Sequence, residues 1–317
     1  MTDTLREAYR VMRTIRAFEE RVRDEFATGE IPGFVHLYAG EEASAAGVCL
    51  HLDDRDVIAG THRGHGHCIA KGVDVKAMMA EIYGRKTGSC HGKGGSMHIA
   101  DLSKGMLGAN GIAGGGPPLV CGTALAAKQQ DTGGVGVAFF GDGAGNQGTT
   151  LEALNLASAW NLPAIFVAEN SGYAEATSSA WSVASDNIAD RAAGFGVPGV
   201  IVDGFDFFAV HEAAGEAIDR ARQGGGPTLI EVKFTRSVGH FADHQTYRAG
   251  EAAHVRENLD CLKRFRARVA DGGELAEHVL DDIDAEVAKL IEDAVAQAKV
   301  APKPTREDLE TDVYVSY

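Results

Sequence analysis

The sequence lacks the features that mark membrane-spanning, secreted, nucleic-acid-binding and disulfide-rich proteins. No apolar run approaches the roughly 20 residues of a transmembrane helix, and the N-terminal MTDTLREAYR has the layout of neither a secretory signal nor a transit peptide. Basic residues are few, with 30 Lys and Arg against 45 Asp and Glu, and the net charge of −15 argues against nucleic acid or anionic membrane as a partner. The five cysteines form no C-x-x-C pair, so we expect reduced thiols in the cytoplasm.

Glycine, by contrast, is abundant, with 40 residues in a chain of 317. Roughly half of them lie between Gly84 and Gly148, so backbone freedom or close approach of a ligand is concentrated there. Residues 84–118 have little periodicity, and an irregular segment of this length is typical of a functional loop or of a disordered one.

Hydrophobic periodicity predicts an α/β fold. Apolar residues at steps of three and four from Leu5 to Phe26 predict an N-terminal helix with Gly29 as its C-cap. Further helices are predicted at about 41–50, 75–83, 119–128, 149–160 and 205–223, with a charged helical extension at about 258–299. Apolar strands are predicted at 56–60, 134–140, 164–170, 199–204 and 227–234. This alternation predicts a doubly wound, mostly parallel sheet with flanking helices, in a single domain over residues 1–317.

One turn combines glycines with a carboxylate. In FFGDGAGNQG, residues 139–148, Asp142 lies between Gly141 and Gly143, after an apolar strand and before a helix. Ligands of doubly wound sheets bind beyond the carboxyl ends of the strands, and helix N-termini attract phosphate. The turn has no G-K-[ST] of a P-loop, and Asn146 stands where a dinucleotide fingerprint has its third glycine. Asp142 either caps the helix or contacts a divalent cation that lies between its carboxylate and a phosphate.

A second polar turn follows the next predicted strand. AIFVAEN ends at Asn170, and Ser171, Gly172 and Tyr173 come next. Because adjacent parallel strands bring their carboxyl ends side by side, Asp142 and this turn can offer oxygen atoms to one ion. Mg²⁺ prefers oxygen ligands and commonly bridges a carboxylate to substrate phosphates. The two turns together predict a magnesium–phosphate site.

This layout resembles the thiamin diphosphate motif, in which GDG is followed by a strand that ends in asparagine. Four segments, and about residues 5–250 as a whole, are similar to the α subunit of the thiamin-dependent 2-oxo acid and acetoin dehydrogenases: GGSMHIAD, GANGIAGG, FFGDGAGNQGTTLEALNLASAW and GHFADHQTYR. HIADLSKGMLGANGIAGGG and GHFADHQTYR look closest to the acetoin type. The resemblance implies the diphosphate-type domain of the thiamin diphosphate-binding fold, with thiamin diphosphate and Mg²⁺ as cofactors.

The resemblance also implies roles for individual residues. The metal ligands would be the side chains of Asp142 and Ser171 and the carbonyl of Tyr173, with Ser171 in place of the family's second asparagine. Serine is shorter than asparagine, so a water or Asn170 is an alternative ligand. The residues implied to contact the coenzyme, besides these, are His62 (a tyrosine in the family), Arg63, Gly111, Ala113, Gly143, Ala144, Arg236 and His240.

Three histidines are implied to belong to the catalytic site. His240 would orient the substrate carbonyl or carry a proton, His36 would lie near the substrate, and His65 would have a supporting role. Phe241 follows His240 where the family has a regulatory serine, so we expect no kinase control there. HRGHGH with His91 and His98 could suggest zinc, but no cysteine or carboxylate spacing supports such a site.

The predicted function is C–C cleavage of acetoin or a related 2-oxo compound. A β subunit would supply the pyrimidine-binding half and the catalytic glutamate, and the acyl unit would pass to a lipoyl-bearing acyltransferase. The alternatives are a pyruvate or branched-chain 2-oxo acid dehydrogenase α subunit, and a lipoyl-independent carboligase or transketolase-like subunit. A metal-dependent hydrolase built from the histidines and a non-catalytic scaffold are further alternatives, and Ser171 and His62 give the scaffold its best support.

Overall fold

A computed structural model describes residues 2–241 and 249–314. The helices are α1 (Thr2–Phe26), α2 (Glu42–Cys49), α3 (His65–Ala70), α4 (Val75–Ile82), α5 (Gly116–Gln130), α6 (Gly148–Ala159), α7 (Ser179–Ser182), α8 (Phe207–Arg222), α9 (Ala249–His254), α10 (Cys261–Asp271) and α11 (Glu277–Val300). The strands are β1 (Val57–Ala59), β2 (Met106–Gly108), β3 (Gly136–Gly141), β4 (Ala164–Asn170), β5 (Tyr173–Ala174), β6 (Thr177–Ser178), β7 (Gly199–Asp203) and β8 (Thr228–Lys233).

Six of the strands form one parallel sheet in the order β2-β1-β3-β4-β8-β7. Gly141, the last residue of β3, pairs with Glu169, one residue before the end of β4. The register therefore brings the two central strands to the same edge of the sheet. β5 and β6 form a small antiparallel hairpin directly after β4.

Helices cover both faces of this sheet, as the strand sequences require. Along β3, Val137 and Phe139 pack into the core formed with α1, α2, α4, α8, α10 and α11. The alternate residues Ala138 and Phe140 pack against α5 and α6 on the other face. Because successive side chains of a strand point to opposite faces, an uninterrupted apolar strand must be buried on both sides.

The N-terminal helix α1 packs across one end of this core. Met12, Ile15 and Phe18 are fully buried, and Gly29 ends the segment in the left-handed conformation with φ 79°. On its flank, the Arg16 guanidinium donates to Glu42 at 2.6 and 3.0 Å and to Asp260 at 2.7 Å. This network ties α1 to α2 and to the start of α10.

The doubly wound fold is confirmed, and the differences lie at element ends and in the loops. Helix α5 begins earlier than predicted, at Gly116, because prolines are tolerated in a first helical turn. The predicted C-terminal helix is interrupted after α10, where Gly273 has φ 66°, and resumes as α11. The short elements α3 and β2 were not predicted, and β2 lies in the segment 84–118 that has little periodicity. Among the described residues, no helix is long and apolar enough to cross a bilayer.

Candidate active site

A cavity of about 440 Å³ opens at the carboxyl ends of β3 and β4. It collects residues from loops that are far apart in sequence. Eight of the residues implied by the family resemblance line it: His62, Ala113, Asp142, Gly143, Ala144, Tyr173, Arg236 and His240. The fold therefore brings most of the implied coenzyme-contacting residues to one place.

Asp142 is the first residue after β3, and it is 4% exposed. Helix α6 begins only at Gly148, after a 3-10 turn over Ala144–Asn146, and its N-cap position is Gln147. Asp142 thus lies too early in the chain to cap α6, and the interpretation of this residue as a helix cap is wrong. Its carboxylate lies instead at the wall of the cavity.

The second turn places two oxygen atoms close to each other. Gly172 has φ 82°, a conformation that glycine adopts without strain, and it turns the chain from β4 into β5. The Ser171 hydroxyl donates to the Tyr173 carbonyl at 3.3 Å. Adjacent oxygens around Mg²⁺ lie about 2.9 Å apart, given metal–oxygen bonds of about 2.0–2.1 Å in an octahedron. Together with the Asp142 carboxylate, the hydroxyl and the carbonyl are oxygen donors of the type that Mg²⁺ prefers.

Asn170 supports this turn and has its polar atoms engaged elsewhere. Its side-chain oxygen accepts from the Gly172 N–H at 2.9 Å, and its amide donates to the Glu231 carboxylate at 2.7 Å. The other Glu231 oxygen accepts from the Ala189 N–H at 2.8 Å. Asn170 therefore shapes the turn, and this geometry favours Ser171 over Asn170 as the side-chain ligand.

Gly143 lets the two turns approach each other. A Cβ atom at this position would lie 2.5 Å from the Cβ of Ala174, although the backbone there has an ordinary helical conformation. Only glycine fits without moving the β5–β6 hairpin. The close contact places the first residues after β3 directly against the segment that follows the Ser171 turn.

The two implied arginines have different environments. Arg236 lines the cavity and donates to the Tyr173 carbonyl at 3.0 Å. Arg63 is 3% exposed and lies behind the wall, where it donates to the carbonyls of Leu37 at 2.7 Å and of His240 at 2.8 Å. Its Nε lies 3.9 Å from the Glu41 carboxylate. Arg63 thus holds the backbone of His240 in place.

Two more of the implied coenzyme contacts, Gly111 and Ser171, do not line this cavity. Asn110 and Ile112, the neighbours of Gly111, do line the cavity. A Cβ atom at Gly111 would lie 3.3 Å from the His98 ring, so the backbone there is closely packed. Ser171 lines a neighbouring cavity of about 810 Å³ at the ends of β4, β7 and β8.

Three histidine rings meet at one end of the cavity. The His36 ring contacts the His62 and His240 rings edge to face, with centroids 4.7 and 5.0 Å apart. Burial, and next the charge of Arg63, lowers the pKa of His36 to about 3 and that of His62 to about 2. Both rings are therefore neutral at physiological pH.

His65 lies outside this group and is fully buried. Its Nδ1 pairs with the Glu19 carboxylate at 3.0 Å, and its Nε2 pairs with the Ser96 hydroxyl at 2.9 Å. Both nitrogens are engaged, and the residue is not on the cavity wall. This environment supports a positioning role for His65.

Two further buried carboxylates hold the loops around the site. Glu169 accepts hydrogen bonds from the hydroxyls of Tyr38 and Ser44 and pairs with His67. Burial alone would raise the pKa of Glu169, but His67 and the hydroxyl donors lower it below its usual value. The Glu81 carboxylate, also fully buried, accepts from four backbone N–H groups of the glycine-rich segment, those of Cys90, Gly92, Gly94 and Gly95, at 2.7–3.0 Å.

The sequence does contain a signal for these carboxylates. Glu169 and Glu231 lie within apolar strands, and Glu81 lies on an apolar helix, where a charged residue is rarely buried without partners.

The glycine-rich segment is also held from outside by residues near the C-terminus. Lys93 donates to the Thr311 carbonyl and to the Asp312 carboxylate, both at 2.8 Å. His91 pairs with the same Asp312 carboxylate at 3.0 Å, so residues 311 and 312 hold two residues of the glycine-rich segment.

Sequence comparison decides the family. A family model described as dehydrogenase E1 component matches residues 10–307. The chain belongs to the dehydrogenase E1 component family. The E1 family is dependent on thiamin diphosphate, and Asp142, Tyr173 and Arg236 line the cavity described above.

Several E1 relatives are similar over almost the whole chain. The α subunit of the acetoin:2,6-dichlorophenolindophenol oxidoreductase of Cupriavidus necator is 66% identical, over 99% of this chain and 95% of the relative. The α subunit of the same name from Bacillus subtilis is 57% identical, over 98% and 93%. The pyruvate dehydrogenase E1 component subunit α of Zymomonas mobilis is 42% identical, over 99% and 89%. Residues 242–248 of the GHFADHQTYR segment lie outside the described residues.

Proposed function

We propose that this chain is the α subunit of an acetoin dehydrogenase and holds the diphosphate and magnesium end of thiamin diphosphate. The observation that carries the proposal is that Asp142 and Tyr173 line one cavity, with the Ser171 hydroxyl 3.3 Å from the Tyr173 carbonyl. The similarity to acetoin oxidoreductase α subunits over nearly the full chain supports the choice of substrate. In this proposal residues 1–317 act as one cofactor-binding domain.

The chain's own residues would hold the coenzyme, and the coenzyme, when bound, supplies a nucleophilic carbon for addition to a carbonyl. Asp142, Ser171 and Tyr173 would ligate Mg²⁺ and through it the diphosphate. The backbone N–H groups of Gly143 and Ala144, where the 3-10 turn begins, would donate to the phosphate oxygens. Arg236, at the cavity wall, would add a charge-assisted contact.

The histidines would act on the substrate. His240 lines the cavity and would orient the substrate carbonyl or exchange a proton with its oxygen. His36 and His62 form a neutral wall, because burial lowers their pKa values to about 3 and about 2. Acetoin is an uncharged hydroxyketone, so a neutral polar wall suits it better than it suits the carboxylate of pyruvate.

A β subunit would complete the site. Apolar side chains on or close in sequence to the cavity wall face solvent: Ile112 lines the cavity and is 71% exposed, Leu119 follows the lining residue Gly116 and is 51% exposed, and Trp181 precedes the lining residue Ser182 and is 84% exposed. Exposed apolar groups beside a ligand site commonly mark a protein interface. We propose that the β subunit covers these side chains and supplies the pyrimidine-binding half with its glutamate, and that a lipoyl-bearing acyltransferase accepts the acyl unit.

The test is co-expression with a β-type subunit, followed by calorimetry and an assay of 2,6-dichlorophenolindophenol reduction. We expect turnover with acetoin to exceed turnover with pyruvate. Asp142→Ala should weaken magnesium-dependent binding of thiamin diphosphate by roughly 100-fold or more, since it removes a charged ligand. Glu152→Ala, on the exposed face of α6, is the control. Unchanged affinity in Asp142→Ala would falsify the metal site, and faster turnover of pyruvate would overturn the substrate assignment.

A further inference from the structure

Three histidines from distant segments form a cluster beside the cavity. His36 lies between α1 and α2, His62 follows β1, and His240 follows β8. One ring nitrogen of each lies within 4.8 Å of the chosen nitrogens of the other two. In residues 2–241 and 249–314, no other set of three His, Cys, Asp or Glu side chains meets this spacing. The spacing of histidines along the chain gave no sign of this cluster, because the fold alone assembles it.

Two of these histidines each have one buried ring nitrogen that is available to a ligand. The Nδ1 of His36 and the Nε2 of His62 are buried and have no hydrogen-bond partner in the described part of the chain. A buried polar atom without a partner costs about 1–3 kcal/mol, so such atoms usually meet water, substrate or an ion. A neutral imidazole can present the lone pair of one ring nitrogen to a metal.

We infer that His36, His62 and His240 form a binding site for a divalent transition-metal ion of the zinc class, with an open fourth position toward the cavity. Three imidazoles and one open position are the ligand pattern of catalytic zinc sites. The site is distinct from the proposed magnesium site, whose donors are all oxygen atoms. Imidazole ligands favour Zn²⁺, Co²⁺, Ni²⁺ or Cu²⁺ over Mg²⁺.

To bind one metal ion, the three ring nitrogens must move closer to one another. Zn–N bonds of about 2.0–2.1 Å in a tetrahedron place ligand nitrogens about 3.3 Å apart, so the widest separation must shorten by about 1.5 Å. Ring rotation can supply this, because no hydrogen bond within the described residues holds Nδ1 of His36 or Nε2 of His62. The backbone of His240 is fixed by the hydrogen bond from Arg63 at 2.8 Å.

Neighbouring charges limit the affinity. Arg63 and Arg236 both lie close enough to lower the pKa of His36 and His62, and each would repel a bound cation. The Glu41 carboxylate, 3.9 Å from Nε of Arg63, offsets part of that charge. We therefore expect a dissociation constant in the micromolar range, weaker than that of a structural zinc site.

Occupation of the site would have a functional consequence. His62 and His240 also line the cavity, so an ion bound between them would occupy the wall where we propose that acetoin binds. We expect Zn²⁺ to inhibit turnover in competition with the substrate. This consequence rests on the proposed function, whereas metal binding itself does not.

The test uses Co²⁺ as a spectroscopic probe for the full-length chain purified with its β subunit. Excess Mg²⁺ is present, so that oxygen-ligand sites are filled. Four-coordinate Co²⁺ with nitrogen ligands gives intense visible absorption, and we expect one such ion for each chain. His36→Gln and His62→Gln should each weaken binding by at least about tenfold, because loss of a mere outer-shell partner already costs roughly 10–100-fold.

The matched control is His278→Gln, which removes an exposed histidine of α11 and should leave Co²⁺ binding unchanged. If a glutamine variant does not fold, His62→Tyr takes its place, since tyrosine is the residue that the family resemblance implies at that position. Zn²⁺ should displace Co²⁺ and abolish the absorption. Absence of a stoichiometric absorption band, or equal binding by the wild type and both cluster variants, would overturn the inference even if acetoin turnover is confirmed.

Discussion

Gly143→Ala adds one methyl group where the two turns of the proposed metal site meet. The new Cβ atom would lie 2.5 Å from the Cβ of Ala174. Carbon atoms pack best at about 3.5–4.0 Å, so the β5–β6 hairpin must move by about 1–1.5 Å. The backbone conformation at position 143 is helical and suits alanine, so the whole effect comes from this contact.

The displaced hairpin begins at Tyr173, whose carbonyl is a proposed ligand of Mg²⁺. Overpacking of this kind costs about 1–3 kcal/mol. If cofactor binding must restore the original position, the cost appears as roughly 5- to 150-fold weaker magnesium-dependent binding of thiamin diphosphate. Isothermal titration calorimetry of the complex with the β subunit measures this affinity directly.

Gly122→Ala is the matched control. Gly122 lies on the exposed side of α5, and a Cβ atom there meets nothing within 4 Å. Alanine should stabilise that helix by about 0.5–1 kcal/mol and leave cofactor affinity unchanged. Unaltered affinity in Gly143→Ala, with circular dichroism and thermal unfolding as in the wild type, would refute the placement of the hairpin at the metal site.

Three further substitutions test the buried carboxylates. Glu25→Gln should lower the free energy of unfolding by about 1–3 kcal/mol at neutral pH, since Glu25 pairs with Lys299 and Arg21 and accepts from Tyr83. Burial would raise the pKa of Glu25, but these partners lower it to about 2, so the stabilisation is complete above about pH 4.5 and decreases as the pH falls toward 2. Glu81→Gln keeps only one of the two acceptor oxygens for the backbone donors of residues 90–95 and should speed the hydrogen exchange of this segment at least about tenfold. Glu231→Gln should weaken magnesium-dependent cofactor binding about tenfold by loosening Asn170.

Each of these changes has a control or a contradicting result. Glu20→Gln removes an exposed carboxylate of α1 and should leave urea unfolding unchanged. A difference between wild type and Glu25→Gln that stays constant from neutral pH down to about pH 2 would contradict the assigned pKa. For Glu81→Gln, unchanged exchange in residues 90–95 would show that other contacts hold the segment. For Glu231→Gln, loss of thermal stability without loss of affinity would separate this carboxylate from the site.

The parts of the fold that follow from local pattern could be predicted from the sequence. The buried strand β4 was predicted with its observed bounds. A short, mostly apolar run with turn residues on both sides is typical of a buried strand, and the turn residues fix where the strand begins and ends. The placement of Asp142 and the turn 170–173 at the same edge of the sheet could also be predicted, since parallel strands that are neighbours must end at one edge. The first prediction needed only the local residue pattern, and the second needed only that the two strands be neighbours.

Other features depend on contacts between distant segments and have no local signal. Arg63 donates to carbonyls of Leu37 and His240 behind the cavity wall, although a guanidinium next to a predicted phosphate site suggests a direct phosphate contact. The approach of His36 to His62 and His240 likewise arises from three separate loops. Whether Arg63 also reaches the diphosphate stays a prediction.

The hydrogen bonds from His91 and Lys93 to residues 311 and 312 have a practical consequence for anyone who modifies this protein. A purification tag or fusion partner attached close behind Asp312 would pull on the same residues that hold the glycine-rich segment from outside. The exposed first turn of α1 makes no such link among the described residues, so it is the safer attachment point. Activity lost after a C-terminal fusion and regained after its removal would therefore report on the loop rather than on the chemistry.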